Sequence, residues 1–220
     1  MRIDLLILIA AAVVALWLVY RRDERRHAAD RRSIYDNCLH LFEAAEIAQD
    51  GVGFPVLSGR YRGRAFKLEP VADHIVFRKV PSLWLRATVF GAVPYAGAFD
   101  FLARPFNSEF WSPLWQFEHV LPIPPGWPEF AACRTDSPEE IPPIETLSRH
   151  AVLFDDPKMK ELLVTPRGVR LVYQADQGQR SYYLVLRQLV FENAQLDPGL
   201  VSSLLDAAIA IHDDLAATRN

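Results

Sequence analysis

Histidines, cysteines and clustered carboxylates are the residues of this 220-residue chain that could do chemistry. The closest arrangement to a ligand cluster is His212-Asp213-Asp214. Adjacent residues on a helix point in different directions, so these three side chains would not converge on one ligand. We therefore favour a solvated chain end over a site. None of the six histidines has a metal-binding spacing such as His-Glu-x-x-His. A Gly-x-Ser-x-Gly elbow, a Walker loop, a Rossmann glycine pattern and Cys-x-x-Cys are also missing from the sequence. We therefore predict no catalytic, cofactor-binding or metal-binding residue, no cofactor, and a protein that is not an enzyme.

Two cysteines, Cys38 and Cys133, are too few for a disulfide scaffold or a zinc site. A bridge between them would need Cα atoms about 4.4 to 6.8 Å apart. Buried free thiols in a reducing compartment are the favoured alternative, and the sequence leaves their redox state open.

Three arginines alternate in Gly59-Arg60-Tyr61-Arg62-Gly63-Arg64. On a strand, Arg60, Arg62 and Arg64 would share one face and form a cationic strip for anionic lipid or an acidic partner. An exposed edge strand carries the same pattern to avoid association with other sheets. The flanking apolar segments predict a hairpin with glycines at its turn, because a phosphate-cradling loop would need a Gly-Lys-Ser/Thr ending.

The N-terminus has an unbroken apolar run from Leu5 to Val19, extended by Ile3 and Tyr20. A spanning helix needs about 20 mostly apolar residues, so the pattern predicts a transmembrane anchor over residues 1–20. A cleaved signal peptide is the alternative, but no small-residue cleavage site follows Trp17.

Arginines are concentrated in residues 21–32, on the C-terminal side of the apolar run. This asymmetry predicts the orientation of the helix in the membrane. Basic residues beside a span stay cytoplasmic, which places the N-terminus outside and the domain in the cytoplasm, at a bacterial inner membrane. Anionic lipid headgroups are candidate partners of this basic cluster. The arginines proposed for that contact are Arg21, Arg22, Arg25 and Arg26. Because no Gly or Pro occurs before Gly51, the helix is predicted to continue as a juxtamembrane, amphipathic stalk over residues 21–50.

Residues 51–112 form a predicted β-rich lobe, with strands at His74 to Lys79, Leu83 to Phe90 and Ala98 to Ala103. Residues 80–99 hold a single charge, Arg86. They could be buried strands, a hairpin that touches the bilayer or a second span, and their prolines and glycines favour strands.

Residues 113–143 contain eight of the 16 prolines and predict an extended connecting segment. Trp111, Trp115 and Trp127 lie at its beginning. These tryptophans either form a docking surface for a partner or wrap the domain's own core.

Residues 144–220 predict an α+β unit. Its expected elements are helices at Ile144 to Leu153 and Lys158 to Val164, strands at Val169 to Tyr173 and Ser181 to Phe191 with a turn near residues 176–178, and a terminal helix. Asp197 at the N-cap and Pro198 at the first helical position open that helix. The predicted fold class is α+β: a transmembrane helix continuing as a stalk, then a mainly antiparallel β domain with a C-terminal helix packed on the sheet.

Three local motifs stand out: the hairpin at residues 59–64, Glu109-Phe110-Trp111-Ser112-Pro113, and Pro124-Pro125-Gly126-Trp127-Pro128 followed by Arg134-Thr135-Asp136. With them, the layout resembles a group of uncharacterised bacterial proteins with one N-terminal span and an α+β cytoplasmic domain. The resemblance implies a membrane-anchored architecture and supplies no functional residue.

The net charge of −3 argues against a nucleic-acid partner. We expect a non-enzymatic, membrane-anchored accessory or scaffold protein whose cytoplasmic domain docks on a protein of a membrane complex. The alternative is a domain at the membrane surface that binds lipid or a small ligand between the β-rich lobe and the C-terminal unit.

Overall fold

The computed structural model describes residues 2–73, 80–178, 191 and 195–218. Its α-helices are α1 (Arg2–Arg32), α2 (Ile144–Ser148) and α3 (Pro198–Thr218). Its strands are β1 (Ala44–Ala48), β2 (Val56–Tyr61), β3 (Arg64–Ala72), β4 (Ser82–Phe90), β5 (Phe99–Ala103), β6 (His119–Val120), β7 (Ala131–Thr135), β8 (Met159–Thr165) and β9 (Gly168–Gln177). Short 3-10 turns cover Ser33–Tyr35, Leu39–Leu41, Leu114–Gln116, Pro138–Glu140 and Ala151–Asp155.

Within these residues the nine strands form one sheet in the order β1-β2-β3-β4-β9-β8-β5-β7-β6, and every neighbouring pair is antiparallel. β4 from the predicted β-rich lobe pairs along its whole length with β9 from the predicted C-terminal unit. The sheet therefore joins the two predicted units. A mainly antiparallel sheet with a C-terminal helix packed on it confirms that part of the predicted fold class.

The hairpin between β2 and β3 forms where the sequence predicts it. Its two turn residues, Arg62 and Gly63, have φ of +48° and +72°, as a two-residue hairpin turn of the primed type requires. Gly59 is not in the turn but inside β2, facing β1. Arg60 lies in β2, Arg62 in the turn and Arg64 at the start of β3, so the three arginines do not alternate along one strand.

One face of the sheet carries the main apolar core, because apolar side chains alternate along its central strands. Phe66, Leu85, Leu162 and Leu171 are buried on this face. Helix α3 lies over β4 and β9 and buries an apolar stripe there. Asp197 caps the helix, since its Oδ2 accepts a hydrogen bond from Leu200 N at 2.7 Å, as predicted.

Helix α1 does not agree with the predicted transmembrane anchor. Of the helices in the described residues, none is long and apolar enough to cross a membrane. The apolar part of α1 lies between Asp4 and Arg21 and measures roughly 24 Å at about 1.5 Å per residue, shorter than a hydrocarbon core of about 30 Å. The predicted single-pass transmembrane span is therefore wrong. The predicted orientation and inner-membrane location stay untested.

The predicted stalk is also wrong, because α1 ends at Arg32 and β1 begins at Ala44. The intervening residues fold onto the core instead of extending the helix. Tyr35 donates its hydroxyl to Leu68 O at 2.9 Å, and Leu196 N donates to Ile34 O at 2.8 Å. Burial of these side chains outweighs the helix propensity of the segment.

Further along, residues 82–90 and 99–103 are strands as predicted, which agrees with the buried-strand alternative for this apolar stretch. The helix predicted at 158–164 is wrong, because these residues form β8 in the middle of the sheet. β9 continues through the predicted turn at 176 and 177. The strand predicted at 74–79, and all but Phe191 of the one predicted at 181–191, lie outside the described residues.

Candidate functional site

The predicted contact arginines do not form one surface. Arg21, Arg22, Arg25 and Arg26 are exposed on α1, where the Arg21 guanidinium lies 4.7 Å from the centre of the Trp17 ring. The three hairpin arginines have local partners.

Two of these hairpin arginines form ion pairs with helix α3. Arg62 Nη2 lies 3.0 Å from Asp206 Oδ2, and Arg64 Nη2 lies 2.6 Å from Asp213 Oδ1. Arg60 donates to Gly63 O at 2.9 Å. Arg62 and Arg64 therefore contact α3 and Arg60 contacts its own turn, so the three arginines do not make a free cationic strip.

The predicted tryptophans divide between core and surface. Trp111 and Trp127 are each only 4% exposed, so for these two the core-wrapping alternative is correct. Trp127 packs against Phe101 and Phe154 in the main core. Trp115 is 44% exposed and stays available to a partner.

The carboxy-terminal part of α3 is not the solvated chain end that the sequence predicts. His212 is buried, and its Nδ1 lies 3.1 Å from Asp213 Oδ1. His150 Nε2 lies 2.9 Å from Asp214 Oδ2 and ties α3 to the segment after α2. In the described ranges no group of three or more His, Cys, Asp or Glu side chains could hold a metal ion.

The sheet face opposite the main core carries most of the buried charge. In an antiparallel ladder directly opposed residues share a face, so cross-strand register defines rows of side chains. The first row reads Lys67, Thr88, Arg170, Leu163, Asp100 and Arg134 across β3, β4, β9, β8, β5 and β7. The second row reads Glu69, Arg86, Val172, Glu161, Leu102 and Ala132. These twelve residues form what we name the charged face.

Ion pairs join the two rows at the β3 end of the charged face and at its middle, between β9 and β8. Glu69 Oε1 lies 2.8 Å from Lys67 Nζ and 2.9 Å from Arg86 Nη2. Burial alone would raise the pKa of Glu69, but the Lys67 hydrogen bond and the Arg86 charge lower it overall. Arg170 Nη2 lies 3.2 Å from Oε2 of the fully buried Glu161. Glu69 is therefore ionised and shared by two cations.

Asp100 is the member of the charged face whose burial is the most unfavourable for folding. It is completely buried, and neither carboxylate oxygen has a hydrogen-bond partner in the described structure. Burial, followed by the nearby Glu161 carboxylate, raises the pKa of Asp100 well above its usual range, against the opposing effect of Arg170. Burial likewise raises the pKa of Glu161. Burial therefore disfavours the charged form of both carboxyl groups.

The segment after β5 covers the second row. Trp111 and Leu114 pack on Trp84 and Leu102, and Arg86 Nη1 donates to Trp111 O at 3.4 Å. Glu109, itself buried, accepts hydrogen bonds from Phe106 N at 2.6 Å and Ser108 N at 3.0 Å. Its Oε1 also lies 3.1 Å from Lys160 Nζ, a buried ammonium that donates to Arg104 O. Buried polar groups thus hold this cover in one conformation.

Four aromatic side chains on the segment that joins β5 to β7 are exposed. We name Phe106, Phe110, Trp115 and Phe130 the aromatic rim; they are 53%, 54%, 44% and 64% exposed. An open groove lies over the uncovered part of the first row. The groove and the aromatic rim are two separate exposed surfaces on this side of the sheet.

Only Trp115 of the rim was among the predicted contacts. The charged face was missed because its members come from six strands. One signal was available, since charged residues inside otherwise apolar strands, such as Asp100 and Glu161, indicate buried polar interactions. Their partners could not be paired without the sheet order.

No family model and no curated protein sequence matches this chain. Among solved structures, the chain is similar to the crystal structure of the mycobacterial trehalose monomycolate transport factor A, TtfA, at 12% sequence identity and a TM-score of 0.45. The match covers 87% of this chain and 95% of that chain. A similarity of this size assigns no activity to the chain, and the resemblance to uncharacterised bacterial proteins stays untested.

Proposed function

We propose that this chain is a non-enzymatic accessory protein that binds a protein partner through the aromatic rim. The observation that carries the proposal is the exposure of four large aromatic side chains on the segment that joins β5 to β7. Single exposed apolar residues are common, but several together are typical of an interaction site. Aromatic residues also contribute the largest share of the binding free energy at protein interfaces.

The backbone that carries the rim is well fixed. Phe106 N is bonded to the buried Glu109 carboxylate, and Phe130 O accepts a hydrogen bond from Arg104 N at 2.7 Å. A surface that is already ordered loses little conformational entropy on association. This order supports a docking role over that of a loose connecting loop.

Cations lie against two of the rim rings. Lys160 Nζ is 4.4 Å from the centre of the Phe106 ring, and the Arg134 guanidinium is 5.2 Å from that of Trp115. Each contact restrains its ring from one side. The partner that fits is a folded protein with an apolar patch that packs against the exposed parts of the rim side chains.

The test uses the full chain as bait and removes rim aromatics by Phe110→Ser combined with Phe130→Ser. A protein that copurifies with the wild-type chain is purified and titrated against both forms. We expect the double variant to bind at least about 30-fold more weakly, the effect of losing roughly 2 kcal/mol of hot-spot contact.

Val152→Ser is the matched control, because Val152 is 66% exposed but lies in the turn whose Phe154 packs into the main core. This variant should bind the partner like the wild-type chain. Equal affinity of the wild-type chain and the double variant contradicts the proposal, as does a wild-type chain that captures no specific partner.

A further inference from the structure

The groove on the uncovered half of the charged face has a volume of about 340 Å³. It lies over the four adjacent strands β3, β4, β9 and β8, and none of its lining residues belongs to the aromatic rim. Its side-chain lining includes Lys67, Glu69, Thr88, Phe90, Arg167 and Arg170. The volume is at the lower end of the range for small-molecule sites, about 300 to 1,000 Å³.

Positive charge predominates in this groove. Lys67, Arg167 and Arg170 contribute three positive charges and Glu69 one negative charge, which leaves a net charge of +2. Glu69 is already held by Lys67 and Arg86. Arg167 is exposed and has no ion pair within the described residues. Its guanidinium is therefore free to bind an anion.

The backbone that carries Arg167 is fixed against the end of β4. Gly91 N donates to Arg167 O at 3.1 Å, and Val93 N donates to Pro166 O at 3.1 Å. Gly168 has φ of +150°, and a Cβ at this position would lie 2.2 Å from Val89 O, so only glycine lets the turn approach β4 this closely. The arginine is thus presented from a rigid turn.

The groove also offers polar and apolar contacts beside the cations. Thr88 lines it with a hydroxyl group, which can donate a hydrogen bond to an oxyanion. The hydroxyl of Thr165 also lines it but already donates to Gly168 O at 3.3 Å. Leu163 lines it too, and the Phe90 ring is 43% exposed at its border. A ligand with one anionic end and one apolar end would match both kinds of surface.

We infer that this groove binds a phosphate monoester attached to an apolar group. A phosphate monoester carries about −1.5 to −2 charge at neutral pH, which matches the +2 of the lining. Arginine side chains bind such oxyanions through paired, charge-assisted hydrogen bonds. The apolar part of the ligand then packs on Phe90 and Leu163. The source of the phosphate is either a soluble ester or a lipid headgroup.

The first arm of the test titrates the full-length chain with phenyl phosphate and follows backbone amide shifts by NMR. We expect saturable shifts at Thr88, Arg167 and Arg170, with benzyl alcohol as a neutral probe that gives none. Arg167→Ala should weaken binding about tenfold or more, as expected for a lost charge-assisted hydrogen bond. Arg149→Ala is the matched control, since Arg149 is exposed and outside the groove.

The second arm measures flotation with phosphatidylcholine vesicles that contain or lack phosphatidic acid. Binding of phenyl phosphate without a phosphatidic acid effect identifies a soluble ester, and an Arg167-dependent phosphatidic acid effect identifies a lipid headgroup; either supports the inference. Three outcomes overturn it: no binding of either phosphate, binding that Arg167→Ala leaves unchanged, or equal shifts with benzyl alcohol. Partner binding at the rim plays no part in either arm.

Discussion

Gly59 and Ala44 approach each other so closely across β1 and β2 that a Cβ on Gly59 would lie 1.7 Å from Ala44 O. This contact is with backbone, so no rotation of a side chain relieves it. Gly59→Ala should push β1 away from β2 and destabilise the protein by about 1 to 3 kcal/mol, as overpacking does. Urea unfolding measures this loss, and hydrogen exchange should show reduced protection of residues 44–48.

The neighbouring Ser58→Ala serves as control, because Ser58 already carries a Cβ in the same strand. Ser58→Ala should leave the hydrogen-exchange protection of β1 unchanged. If Gly59→Ala were as stable as Ser58→Ala, the close approach of the two strands would be disproved.

The second prediction concerns Asp100→Asn and its dependence on pH. Burial raises the pKa of Asp100 in the folded protein above the value of about 3.9 that an unfolded chain shows. Between these two pKa values the folded state binds more protons than the unfolded state, so this residue lowers the stability as pH rises. The decrease is about 1.4 kcal/mol for each pH unit between the two values. Asparagine does not titrate and removes this decrease.

We therefore expect the variant to gain stability relative to the wild-type protein as pH increases from about 4, with a constant difference below that pH. Denaturant unfolding at a series of pH values measures the difference. Asp155→Asn, at an exposed position, is the control for the loss of one surface carboxylate. A difference between Asp100→Asn and wild type that does not change with pH is the contrary result.

The third prediction concerns Tyr35, whose buried hydroxyl is 2.9 Å from Leu68 O and 3.1 Å from Pro55 O. Tyr35→Phe leaves these carbonyl oxygens without that donor and should cost about 1 to 3 kcal/mol of unfolding free energy. Tyr173→Phe is the control, since its hydroxyl bonds Asp156 Oδ2 at the surface and its loss should cost less than about 1 kcal/mol. Equal losses for the two variants, measured by urea unfolding, would contradict the buried role of Tyr35.

The fourth prediction concerns the two free, buried cysteines. Burial, and to a smaller extent Asp197, raises the pKa of Cys38 to about 11; burial, then Asp100, raises that of Cys133 to about 12. Because the thiolate is the reactive form, neither should react with a disulfide reagent at pH 8 until the protein unfolds.

Absorbance of the released thiol measures the reaction with and without denaturant, and Cys38→Ser assigns each phase. We expect two equivalents only in denaturant. Rapid reaction of one thiol in the native protein would show that the described burial is incomplete in solution.

Short sequence patterns predicted the elements whose conformation depends mainly on neighbouring residues. The β2–β3 hairpin needs Gly63 at positive φ, and helix α3 needs the Asp197 cap, so both are readable from neighbouring residues. The prolines and glycines of residues 80–99 likewise favoured strands over a second span, and β4 is one of them. Helix propensity failed at residues 33–43 and at β8, where burial in the core decides the conformation.

The candidate site could not be read from the sequence in the same way. Glu69 and Arg86 are 17 positions apart and Glu161 and Arg170 belong to another hairpin, yet register places them in two adjacent rows. Only the strand order brings these residues together. Spacing rules for a single helix or strand do not predict the strand order. The rim is similar, because exposure of Phe110 and burial of Trp111 depend on which side of one short segment meets the sheet.

The strand order also has a consequence for the nascent chain. β4 and β5 follow each other in the sequence, but β9 and β8, made last, separate them in the sheet. Translation from Ala103 to Gln177 takes about 4 to 15 s at about 5 to 20 residues per second. During that time both earlier strands have an open edge with unpaired backbone amides. A ribosome-bound chain that ends before β8 is therefore two incomplete half-sheets, and chaperones that recognise exposed strands should bind it at this length.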